Sequence, residues 1–119
     1  MPVASRSRRN ASPQTLPIAL HVLLYPESGR MVAHVLETDS MSDADTPDAA
    51  LRGVAEALRL EFAFDARERR AVRAFETSAP TVFWSALKSA RLASATKLPL
   101  PAIGETTLLA YRIDESPKA

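Results

Sequence analysis

Residues 16–64 read LPIALHVLLYPESGRMVAHVLETDSMSDADTPDAALRGVAEALRLEFAF, and the succession of patterns in them decides the fold. Ile18, Leu20, Val22 and Leu24 alternate with Ala19, His21, Leu23 and Tyr25. After a break, Met31, Ala33 and Val35 alternate with Val32, His34 and Leu36. A period of two marks two strands. Between them, Pro26-Glu27-Ser28-Gly29 combines a fixed backbone angle with a residue free to turn left-handed, so the strands form a hairpin. With those four residues as the loop, Leu24 faces Met31, Val22 faces Ala33, Leu20 faces Val35 and His21 falls opposite His34. The purely apolar face is then the core.

The helix that follows has a well-marked start. The Thr46 hydroxyl can cap it, Pro47 suits a first position that needs no amide hydrogen, and Asp48 sets negative charge against the helix dipole. Leu51, Val54, Ala55, Leu58 and Phe62 recur at three- and four-residue steps on one stripe, which should cover the hairpin. Arg52, Glu56 and Arg59 point elsewhere and look solvated. Leu60 and Phe64 leave the stripe and need a second contact.

The chain has 119 residues, 46% of them hydrophobic, enough for one modest core. The expectation is a single α+β domain over residues 15–114, between a disordered basic tail at 1–14 and a short tail at 115–119. A formal charge of +1 argues against an overall basic nucleic-acid binder. The charge is segregated, however: Arg6, Arg8 and Arg9 precede the strands, Glu37, Asp39, Asp43, Asp45 and Asp48 precede the helix, and Arg67, Arg69, Arg70 and Arg73 follow it. The lack of cysteine excludes disulfide and thiolate chemistry and fits a reducing cytoplasm. No apolar run reaches the roughly 20 residues of a membrane span, and no secretory signal pattern opens the chain, so a cytoplasmic protein is expected.

Past the first helix, Asp65 to Thr77 allows either a helical extension or a short strand. A second helix is expected from about Pro80 to Ala93, with Phe83, Ala86, Leu87 and Ala90 on one face and Trp84, Lys88 and Arg91 on another. The prolines of Lys97-Leu98-Pro99-Leu100-Pro101 rule out its continuation. Leu108 to Ile113 reads as a last strand, added at the edge of the hairpin's sheet.

The hairpin, the acidic segment and the run Asp45-Thr46-Pro47-Asp48-Ala49-Ala50-Leu51 together resemble the HicB-like antitoxin family. Asp45, Thr46, Ala50 and Leu51 fit its helix start, and Asp39 fits the aspartate that ends its second strand. The resemblance covers about residues 16–64. It implies a small antiparallel sheet with one helix across it, a degenerate relative of the ribonuclease H arrangement. It also implies binding rather than turnover, with a HicA-like toxin, a small basic protein, as partner. The C-terminal part reads helix then strand, not ribbon-helix-helix, so operator binding is not expected. An orphan HicB-like protein fits best.

The candidate site follows from charge. Glu37, Asp39, Asp43 and Asp45 form an acidic surface suited to docking a basic protein. A metal-dependent nuclease using these carboxylates is the alternative, although carboxylates for two-metal chemistry usually converge from separated strands. His21 and His34, if paired, could hold a divalent ion but lack a third ligand, so neither metal nor cofactor is expected. Arg67, Arg69, Arg70 and Arg73 could contact phosphate, with Trp84 available for stacking. Leu60, Phe64 and Trp84 could instead build an oligomer contact, which would make the chain a self-assembling structural protein. Gly29, Gly53 and Gly104 lack the spacing of a phosphate loop.

Overall fold

A computed structural model describes residues 18–68 and 73–117. Strand β1 (Ile18–Glu27) turns into β2 (Arg30–Val35), and a tight turn leads to β3 (Ser40–Ala44). Helix α1 (Pro47–Arg67) follows, then a 3-10 turn at Arg73–Glu76, helix α2 (Thr81–Leu87), β4 (Arg91–Lys97) and β5 (Thr106–Arg112). The protein is an α+β fold whose five strands lie in the order β3-β2-β1-β5-β4. β1 pairs with β2 antiparallel but with β5 in parallel, while β3 and β4 pair antiparallel with β2 and β5. The sheet is thus mixed and larger than the hairpin-based sheet expected. The last strand is internal, and β3 and β4 are its two edges.

The hairpin forms, but in a different register. Pro26 pairs with Met31 and Glu27 with Arg30, which leaves only Ser28 and Gly29 in the loop. Both have positive φ, 53° and 79°, the pattern of a tight two-residue hairpin turn. Val22 therefore faces Val35 and Leu24 faces Ala33. His34 stands opposite Leu23 rather than His21, so the expected histidine pair does not form. The shift is two residues, which leaves every side chain on its expected face.

Helix α1 begins as its sequence dictates, with the Ala49 amide donating to the Thr46 hydroxyl at 3.2 Å and Pro47 in the first turn. Val54, Leu58 and Phe62 are fully buried against Leu20, Val22, Leu24, Ala33 and Val35, with Leu51 and Ala55 packed at the margin. Leu98, Leu100, Leu108 and Ala110 complete this layer. Gly53 lets α1 approach the sheet closely, since a Cβ there would lie 2.4 Å from the Ser42 hydroxyl on β3.

The other face of the sheet is also a core. Leu23, Tyr25, Val32, Leu36 and Ala79 are buried there under Phe83, Trp84, Leu87 and Ile113. This corrects the expectation of a single apolar face. Helix α2 stops at Leu87, not Ala93, because Arg91–Lys97 pairs with β5 as a strand. Within the span left open at Asp65 to Thr77, α1 runs on to Arg67 and a 3-10 turn occupies Arg73–Glu76. The expected tail Met1–Gln14 lies outside the described residues, as do Arg69 and Arg70. No helix among the described residues is long and apolar enough to cross a membrane.

Candidate functional site

The segment Leu36–Ala44 carries the four acidic residues singled out by sequence, and the structure divides them into two pairs. Glu37 and Asp39 belong to the turn after β2, where Asp39 holds a φ of 57°. Glu37 takes the His21 backbone amide at 2.8 Å and lies 2.6 Å from His21 Nδ1. Asp39 lies 2.7 Å from His34 Nε2. The His34 ring is 1% exposed, sits edge-on to Phe83 with centroids 4.5 Å apart, and has the Tyr25 hydroxyl 3.2 Å from Nδ1. An imidazole with Nε2–H toward the carboxylate leaves Nδ1 to accept from Tyr25, which satisfies every polar atom of this buried chain. Burial, with Glu27 and Asp39 adding negative charge, pushes the Tyr25 phenol up to about 12. It stays neutral and donates.

The second pair sits at the far end of β3. Arg30 Nε donates to Asp43 at 2.7 Å and Arg30 Nη1 to Asp45 at 2.8 Å. The Asp43 bond and charge raise the guanidinium above its ordinary value. Asp45 remains largely open, with its side chain 88% exposed.

These arrangements bear directly on chemistry. Glu37 and Asp39 each have their own histidine, and Asp43 and Asp45 share Arg30. Among the described residues no group of three or more histidine, aspartate or glutamate side chains could hold a metal ion. His21 keeps company with Trp84 and Tyr111, both at 6.1 Å between ring centroids, rather than with His34.

β3 is the more informative element, and its composition concealed it from sequence reading. Ser40, Ser42 and Ala44 face α1, whereas Met41 and Asp43 project to the opposite face. Its inner edge pairs with β2, and among the described residues its outer edge meets no strand. A shallow cleft of about 320 Å³ opens beside it, walled by Val32 and Met41 and rimmed by Glu27, Arg30 and Asp43.

The remaining candidates lie elsewhere. Leu60 and Phe64 are 63% and 44% exposed on α1, and the Arg67 guanidinium lies 5.9 Å from the Phe64 ring. Trp84 is half-buried in the second core, its indole N–H donating to the Ser78 hydroxyl at 3.1 Å, and so does not join Leu60 and Phe64 in one patch. Of the basic run, Arg67 is an exposed residue of the last turn of α1 and Arg73 opens the 3-10 turn. Comparison with protein-family models, with curated proteins and with solved structures returns no match.

Proposed function

We propose that this chain is a non-catalytic protein-binding module of HicB-like kind whose partner is a small basic protein. The observation that carries this reading is the β3 corner, where a strand edge unpaired among the described residues, the exposed Met41 and the exposed carboxylates of Asp43 and Asp45 coincide. An open edge offers backbone groups to a partner, and surplus negative charge favours a cationic one. The hairpin, the acidic segment and the threonine-capped helix across the sheet support the HicB-like comparison. Against a nuclease stands the separate pairing of Glu37 with His21 and Asp39 with His34, which holds the carboxylates apart from a common metal.

Affinity purification of the tagged chain from its host under mild lysis tests this. The expected result is a small basic protein at near-equal stoichiometry that arrests growth when expressed alone and is neutralised by co-expression. Recovery of the chain by itself, or divalent-dependent cleavage of RNA lost in Asp39→Asn, would refute it.

A further inference from the structure

The structure describes five large apolar side chains as exposed, and three of them border one strand edge. Met41 belongs to β3 itself. Leu60 and Phe64 follow Gly53 by seven and eleven residues, which on a helix of about 100° per residue brings both within about 20° of it. Gly53 is the position packed against Ser42, and about two turns on, Ser40 Oγ donates to Glu61 at 3.1 Å. Leu60 and Phe64 therefore lie on the flank of α1 that overlooks the outer edge of β3. That edge lies between the α1 flank on one side of the sheet and the Val32–Met41 cleft on the other.

The two walls differ in chemistry. Beside the cleft, Arg30 supplies one positive charge against the carboxylates of Glu27, Asp43 and Asp45. The α1 wall presents Leu60 and Phe64, with Glu61 and Arg67 beside them. Side chains of an added strand point alternately to the two faces, so one set would meet the acidic cleft and the other Leu60 and Phe64.

We propose that the β3 edge is a strand-addition site for an extended segment of a partner protein in which basic and apolar residues alternate. An arginine or lysine of that segment lays its methylenes on Val32 and Met41 and brings its charge to Glu27 and Asp43. The intervening leucine- or phenylalanine-like residues cover Leu60 and Phe64. Pairing with a second copy is disfavoured, because antiparallel self-pairing centred on Ser42 brings Asp39 against Asp45. β4 at the opposite edge is protected differently, by Arg91 and Lys97 at its ends and a register break between Leu92 and Ser94. The proposal rests on the chain being a protein-binding module and adds the place and the sequence pattern of its partner.

The test uses the full-length chain, isotope-labelled for NMR, titrated with three seven-residue peptides. One alternates arginine and leucine, one alternates glutamate and leucine, and one carries the first peptide's residues in two blocks. The alternating basic peptide should bind at least tenfold more tightly than either control and shift the amides of 40–44 and 60–64. Asp43→Lys and Leu60→Glu, both at exposed positions, should each weaken it at least fivefold while the thermal transition stays within a few degrees. Equal binding of the block peptide, shifts centred on Arg91–Lys97, or no binding at millimolar peptide would overturn the site. If a host partner binds Asp43→Lys and Leu60→Glu as well as it binds the wild type, the edge is wrong and the binding-module reading stands. If the peptide binds as expected but the host yields no partner, that reading fails and the edge stands.

Discussion

Tyr25 joins the two halves of the second core: its ring packs against Phe83, 5.8 Å between centroids, and its hydroxyl anchors His34. Phenolate is disfavoured in the folded protein, so the native value of about 12 lies above the ordinary tyrosine value near 10. The linkage has a definite sign. The stabilisation is complete below about pH 10 and is lost as the pH rises through about 12, for a total of about 2–3 kcal/mol. Urea unfolding at pH 9 and at pH 11.5 should show a steeper alkaline loss for the wild type than for Tyr25→Phe, and parallel losses would contradict this placement of Tyr25. Sequence alone left Tyr25 and His34 on an open face. The signal for burial was present, however, in the unbroken apolar run Val22-Leu23-Leu24, which marks a strand covered on both sides.

Among the elements, α1 depends most on its first turn. Thr46→Ala removes the oxygen that accepts from the Ala49 amide and should cost about 1 kcal/mol, read as a lower denaturation midpoint with unchanged slope. This cap, the Pro47 start and the Val54-Leu58-Phe62 stripe were all legible, because capping and helical periodicity are local. The hairpin was legible in its strands and faces but not in its register, since Pro26 and Glu27 read as loop residues yet pair with Met31 and Arg30. β3 was missed because Ser40-Met41-Ser42-Asp43-Ala44 has little strand propensity and owes its conformation to pairing with β2 and packing under α1. Likewise Arg91 to Ala93 read as the end of the second helix, and only the pairing of Arg91–Lys97 with β5 decides for a strand. The acidic residues of the candidate site were visible as types, whereas their division between the histidines and Arg30 depends on contacts made after folding.

On the scale of the whole molecule, α1 shields one face of the sheet, α2 and the C-terminal segment shield the other, and among the described residues β3 and β4 carry no further strand on their outer edges. On the proposed reading, function lies in the difference between those edges: β3 is acidic with apolar residues beside it, and β4 ends in cations. The proposed partner is cationic and extended, and its capture should weaken with salt as the open carboxylates are screened. The most direct measurement is quantitative mass spectrometry of material purified in parallel from host cells expressing the tagged wild type or the Asp43→Lys/Leu60→Glu double variant. A small basic protein should accompany the wild type at near-equal stoichiometry and fall at least tenfold with the variant. Equal recovery from both would contradict the assignment of β3 as the binding edge, and the chain alone from both would contradict the binding-module reading itself.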